Sequence, residues 1–323
     1  MFKWEKRKKT YMICLALLFL IWLNNTSLFS NKDGKEYKIL AHRGLAQTFD
    51  ESKADWDSNT AAMIDPPTHP YLENTISSMQ AAFDLGADAV EFDVKLSKDK
   101  LLSVFHDAIL KFKTGIKGEI QDYMMAELKK MDIGYGYTAD GGKTYPFRGK
   151  GVGQMPTIDE VFESFPDKEF VIEVKDGKLE TYKVLWEKLK TLSPERIDEL
   201  SICGASEEGV HWLRSQSSSL KLLSKKRILI QYELLGFTGY IPEEIKNAEL
   251  CISLKYARFL WGCPNKFMER MEAVNTWVEL TAGGSDLSEG FDHIHSLKDI
   301  PEGFDGYIWT NKINELNLKG DKE

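Results

Sequence analysis

His42 and Arg43 follow the apolar run Tyr37–Ala41, Glu91 and Asp93 alternate along Ala89–Val94, and His106 follows Ser103–Phe105. Glu173 and Lys175 alternate along Val171–Lys175. Two histidines, three carboxylates and two cations therefore stand at the carboxyl ends of four candidate strands. Residues at i and i+2 of a strand share a face, so Glu91 pairs in direction with Asp93, and Glu173 with Lys175. Carboxylates gathered in a cleft need a positive partner. A hard divalent cation, Ca2+ or Mg2+, suits oxygen ligands better than zinc does, and Glu173 makes a third ligand. Lys175 then complements an anion. A strand-terminal histidine taken alone is more often a hydrogen-bonded structural residue than a catalyst. Only convergence of the four strands gives the set a chemistry.

The elements that would bring them together alternate strand and helix. Candidate strands are Tyr37–His42, Ala87–Val94, Leu101–His106, Phe170–Lys175, Glu199–Gly204, Arg227–Glu233, Leu250–Leu254, Val274–Leu280 and Asp305–Thr310. Candidate helices are Asn74–Leu85, Tyr123–Met131, Ile158–Phe165, Leu179–Leu192, Glu207–Gln216 and Lys266–Val274. Such βαβα alternation predicts a parallel sheet with helices on its faces. Runs such as Ala89-Val90 and Phe170-Val171-Ile172 are apolar on both faces, as covered strands are. Eight strands close a TIM (β/α)8 barrel, whose site lies at the carboxyl ends of the strands. One of the three candidates between Glu199 and Leu254 is then an extra. Two long irregular stretches, Leu45–Leu72 and Lys111–Met155, are inserted loops after strands 1 and 3, and loops of that length inside a domain are usually functional.

Charge separates the first residues from the rest. Lys3, Lys6, Arg7, Lys8 and Lys9 face only Glu5, so this tip carries +4 and the remaining chain −12 of the net −8. A body so acidic, without a cationic stripe, argues against a nucleic-acid partner. Behind the tip, Tyr11–Leu23 has no charge. A basic tip followed by an apolar core predicts a signal anchor over residues 1–35, with a catalytic domain over 36–323 held outside the cytoplasm, or secreted if the segment is cleaved. The four cysteines show no CxxC spacing, so free thiols are expected, and no protein partner is evident.

AHRG at Ala41–Gly44, ENT at Glu73–Thr75, GADAVEFDVKLSKD at Gly86–Asp99, VFHD at Val104–Asp107, VIEVK at Val171–Lys175, NTW at Asn275–Trp277 and DGYIWTN at Asp305–Asn311 follow one another in order. In this the chain resembles the glycerophosphodiester phosphodiesterase family, over roughly Lys38 to Leu316. The resemblance implies a metal-dependent TIM-barrel enzyme that cleaves glycerophosphodiesters to glycerol phosphate and an alcohol. It implies His42 and His106 as the general acid/base pair, with either in either role. It implies Glu91, Asp93 and Glu173 as ligands of one divalent ion, Ca2+ or Mg2+, and Arg43 and Lys175 as phosphate contacts. The attacking group can be water or a neighbouring glycerol hydroxyl. Two departures stand out. The 28 residues of Leu45–Leu72, with Trp56, His69 and three prolines, separate HRG from ENT and would overhang the mouth. Asn311 stands where members often carry Asp, a departure that reads as touching a peripheral contact. Two alternatives remain open: phospholipase D-like cleavage of lysophospholipids or sphingolipids, favoured by the apolar N-terminus and by the aromatics Tyr135, Tyr137, Tyr145 and Phe147, and a non-catalytic lipid- or polyol-binding barrel.

Overall fold

The computed structural model describes residues 2–29, 36–50, 53–54, 58–223, 226–283 and 289–316. Its strands are β1 (Lys38–His42), β2 (Ala89–Leu96), β3 (Leu102–Val104), β4 (Glu169–Val174) and β5 (Leu200–Gly204), followed by β6 (Lys221–Leu223), β7 (Ala248–Ser253), β8 (Trp277–Thr281) and β9 (Tyr307–Thr310). Eight of them run parallel in the order β1-β2-β4-β5-β6-β7-β8-β9 and close because β9 pairs back onto β1. This is the expected (β/α)8 barrel. Alternation sorts its side chains. Val90, Phe92 and Val94 join Met79, Ala82 and Phe170 in the large core between strands and helices. Leu40, Ala89, Val171, Tyr307 and Trp309, one step out of phase, form a separate cluster within the ring.

Local chemistry sets the helix over Ile76–Leu85. Thr75 caps it through a reciprocal capping box with Ser78, and Gly86 ends it in the left-handed conformation at φ 106°. Thr157 caps the helix Ile158–Ser164 in the same way, with Glu160 as its counterpart.

Three expectations about the elements are corrected. Arg227–Glu233 is not a strand; it lies in the helix Lys226–Leu235. Ile228 and Tyr232, four apart, are buried, whereas Ile230 is exposed, which is helical and not strand periodicity. The strand of that repeat is β6, whose three residues are too short to show a pattern. The extra strand is β3, which pairs antiparallel with β2 through Val94 and Val104. His106 therefore does not end a barrel strand. The β2–β3 hairpin folds back along β2 and returns the chain to the level of Asp93, whose carbonyl accepts the Phe105 N–H at 3.0 Å.

The two insertions share a second core. Ala61, Ile64 and Leu72 from the first pack with Ile120, Leu128, Ile133 and Tyr137 from the second. Trp56 of the first insertion lies outside the described residues.

The N-terminal segment forms the helix Phe2–Asn25. No helix among the described residues is long and apolar enough to cross a membrane, which overturns the expected signal anchor, the membrane contact and the placement of the catalytic domain outside. The physical reason is length. The uncharged stretch Tyr11–Leu23 rises about 20 Å as a helix, against a hydrocarbon core of about 30 Å. The helix ends instead on the barrel: the Asn25 amide donates to the Phe237 carbonyl at 2.9 Å, and Arg270 donates to the Asn24 carbonyl at 2.8 Å. The boundary expected at residue 35 falls among residues 30–35, outside the described ones.

Candidate active site

Strand register assembles the site. His42 on β1 is the direct neighbour of Glu91 on β2, and Asp93 on β2 the direct neighbour of Glu173 on β4. Glu91 and Asp93 are buried on the inner face. Ligand oxygens of Glu91, Asp93 and Glu173 all lie within 4.8 Å of one another. Glu91 Oε1 and Asp93 Oδ1 are buried with no hydrogen-bond partner. Orphaned carboxylate oxygens aimed at a common point, in an all-oxygen donor set, fit a hard divalent cation. The three residues could hold a metal ion.

Electrostatics separates the two β2 carboxylates. Burial, with Asp93 and then Glu173 beside it, pushes the Glu91 carboxyl well above the usual range. Burial also opposes charge on Asp93, but Arg43, His106 and Lys175, with a 2.7 Å hydrogen bond from Asn74, hold it well below that range. Asn74 takes the left-handed region at φ 60°, and its side chain also accepts the Asp93 N–H at 3.1 Å. The ENT motif is thus a bracket around a metal-ligand candidate.

Arg43 leaves β1 at φ 57°, which turns its guanidinium across the ring. Its Nε lies 3.3 Å from Asp93 Oδ2 and an Nη 3.3 Å from Glu73 Oε1. Lys175 Nζ lies 2.7 Å from Glu173 and 3.6 Å from Asp93. Both cations border the carboxylate group.

His42 has its Nε2 3.8 Å from Glu91 Oε2 and its Nδ1 2.5 Å from Asn311 Oδ1, while its ring packs on Trp309 at 4.4 Å. Asn311 is held in turn by Asp292, which accepts both its backbone N–H and its amide. Position 311 is therefore not peripheral, contrary to the sequence reading; it orients a histidine. His106 has its Nδ1 3.1 Å from Asp107 Oδ1. Burial, then Arg43, lowers both imidazoles below their ordinary value, His42 the further.

A cleft of about 1130 Å³ opens over these groups, lined by His42, Arg43 and His106 and by Gln47, Phe49 and Asp65 of the first insertion. That insertion does overhang the mouth. Of the second insertion's aromatics Phe112 lines it, but the four singled out by the sequence do not: Tyr137 and Phe147 are buried against each other, and Tyr135 and Tyr145 sandwich Arg148. The sequence reading missed Lys113. It lies in the second insertion without a motif to mark it, and its buried ammonium pairs with Glu73 and, at 2.9 Å, with Asp107. Glu73, His106 and Asp107 form a second close group of potential ligands.

Residues 42–246 match the model of the glycerophosphoryl diester phosphodiesterase family. Among curated proteins, a glycerophosphodiester phosphodiesterase of Caldanaerobacter subterraneus is 41% identical over 107 residues, 32% of this chain and 40% of that protein. A lysophospholipase D of Rattus norvegicus is 31% identical over 180 residues, 53% of each chain. A glycerophosphodiester phosphodiesterase of Bacillus subtilis is 30% identical over 190 residues, 54% of this chain and 61% of that one. The matched stretches span about half the length of these relatives. The fold is also that of the Agrobacterium tumefaciens glycerophosphodiester phosphodiesterase, at TM-score 0.57 and 20% identity over 87% of this chain and 99% of that one. An Oleispira antarctica phosphodiesterase solved with its product sn-glycerol-3-phosphate superposes at TM-score 0.54 and 20% identity, over 88% of this chain and 97% of that one. With the family model matching well over half of its residues and the barrel matching as well, the chain belongs to the glycerophosphoryl diester phosphodiesterase family.

Proposed function

We propose that this protein hydrolyses glycerophosphodiesters to glycerol phosphate and an alcohol, as a metal-dependent phosphodiesterase. One observation supports the reading most: Glu91 Oε1 and Asp93 Oδ1 are buried without hydrogen-bond partners beside Glu173, next to a cleft that His42, Arg43 and His106 line. Names carried by the relatives point the same way. Glu91, Asp93 and Glu173 would hold Ca2+ or Mg2+, which when bound stabilises negative charge on a phosphoryl group. Arg43 and Lys175 neutralise the non-bridging oxygens as charge builds on them. One of His42 and His106 takes the proton of the attacking hydroxyl, and the other donates to the departing alkoxide. The test is turnover of glycerophosphocholine and glycerophosphoethanolamine, read as glycerol phosphate released, in chelator and in chelator followed by Ca2+ or Mg2+. Release that needs the metal is the expected result; no release under any metal overturns the reading.

A second reading, cleavage of lysophospholipids, draws on the similarity to the rat lysophospholipase D and on apolar cleft residues Phe49, Ile109 and Phe112. Lysophosphatidylcholine in the same panel decides between them: lysophosphatidic acid and choline released from it support the second reading, whereas glycerol phosphate released from glycerophosphocholine with lysophosphatidylcholine left intact supports the first.

A further inference from the structure

Lys113, from the second insertion, reaches the catalytic end of the barrel, and it is an unusual group to find there. Its side chain is 2% exposed and its stem lies against Phe105, with the ammonium 5.6 Å from that ring's centre. A buried ammonium is costly unless fully paired. It is paired twice, with Glu73 Oε1 and Asp107 Oδ1, and both of these oxygens are shared. Glu73 Oε1 also faces Arg43, and Asp107 Oδ1 also faces His106 Nδ1 at 3.1 Å. Arg43, Glu73, Lys113, Asp107 and His106 thus form one unbroken chain, with Lys113 at its centre and outside the cleft lining.

We propose that Lys113 is a positioning residue, whose ammonium locks Glu73 and Asp107 so that Arg43 and His106 both keep their orientation toward the cleft. Without it, two buried carboxylates face each other with one positive partner fewer. Asp107 then protonates or turns away, and His106 Nδ1 loses its acceptor. With the acceptor in place, Nδ1 carries the proton and Nε2 is the nitrogen left to exchange protons in the cleft. The proposal rests on the hydrolase reading for its kinetic consequence but not for its structural one.

The experiment compares wild-type protein with Lys113→Met and Lys113→Gln, and adds Asp107→Asn and the double variant Lys113→Met/Asp107→Asn. Supporting partners of catalytic groups usually contribute about 10–100-fold, so the neutral variants should lose about 10–100-fold in kcat with KM within about threefold. If Lys113 acts through Asp107, the double variant should be no slower than the slower single one. In the substrate-free protein, the 15N spectrum of His106 should report protonation at Nδ1, and Lys113→Met should convert it to a mixture of tautomers. The groups facing His106 in that measurement are Arg43, Asp93, Asp107 and Lys113. A folded neutral variant with wild-type kcat and an unchanged His106 spectrum overturns the proposal. So do additive losses in the double variant, or failure of both neutral variants to fold, which makes Lys113 purely structural. A wild-type protein inactive on every phosphodiester counts against the hydrolase reading alone, because the His106 spectrum still decides the positioning role.

Discussion

Burying a carboxylate oxygen without a partner costs about 1–3 kcal/mol, and more when the group is charged, so Glu91 Oε1 and Asp93 Oδ1 hold the site in a state that a cation relieves. Chelation should therefore abolish activity and also lower the melting temperature, since whatever binds only the folded chain stabilises it; calorimetry with and without metal reads both the affinity and the melting shift. The sign of the pH dependence follows from Glu91. Its folded pKa is raised, so the metal-free site keeps a proton there at mildly acidic pH, and a cation must displace it. Cation affinity should fall as pH falls through that raised value, and binding should release a proton in the same window, measurable by titration in buffers of different ionisation enthalpy. Affinity that does not fall toward acidic pH would show that no proton on Glu91 competes with the cation. For the histidines, alanine at His42 or His106 should lower kcat by about 10²–10⁴ and change KM less, because proton transfer matters mainly in the transition state. Both are held below their ordinary pKa, so the limb that needs a neutral imidazole should lie below pH 6.5. Wild-type kcat in a folded alanine variant removes that histidine from the mechanism.

At the scale of elements, the turn after β1 is the tightest joint in the site. Gly44 has φ 77°, and a Cβ there would lie 2.7 Å from the Ser78 carbonyl carbon, at the start of the helix that carries the ENT bracket. Gly44→Ala combines a left-handed penalty of about 1–2 kcal/mol with overpacking of about 1–3 kcal/mol. It should cost about 2–5 kcal/mol in urea unfolding and reduce kcat, because Arg43 and Asn74 move with the joint. Thr75→Ala, which removes the N-cap and the hydroxyl's bond to the Leu72 carbonyl, should cost about 1–2 kcal/mol. Equal losses in the two variants would show that cap and joint are not distinct. The β2–β3 hairpin is the other deciding element: it returns His106 to the level of Asp93, although β3 is no part of the parallel ring.

At the scale of the whole molecule, the barrel carries two attachments that do different work. The insertions build a second core and overhang the cleft, whereas the helix Phe2–Asn25 ends on Arg270. That buried guanidinium donates to the Asn24 carbonyl, Asn25 Oδ1 and Tyr232 Oη, and none of these lines the cleft. Arg270→Met leaves buried acceptors unpaired and should cost about 1–3 kcal/mol in urea unfolding, with kcat unchanged. A fall in kcat at equal folded fraction would mean that this junction communicates with the site.

What sequence alone determined is whatever follows from local period and motif. The strands of the ring other than β6, the alternation that turns Glu91 and Asp93 inward, and the gathering of Glu91, Asp93 and Glu173 were all legible, because strand alternation and the order of the motifs need no knowledge of distant contacts. Tertiary structure decided the rest. Arg227–Glu233 reads as a strand until burial of Ile228 and Tyr232 makes it a helix, and β6 is too short to show a period. The apolar N-terminal run has the composition of an anchor but not the length. Asn311 and Lys113 carry no local signal of their importance, because what makes each matter is a partner distant in sequence: His42, 269 residues away, for the one, and Glu73, 40 residues away, for the other. Contacts of that kind exist only once the ring has closed and the insertions have packed, since pairing across the fold depends on geometry that no local pattern encodes.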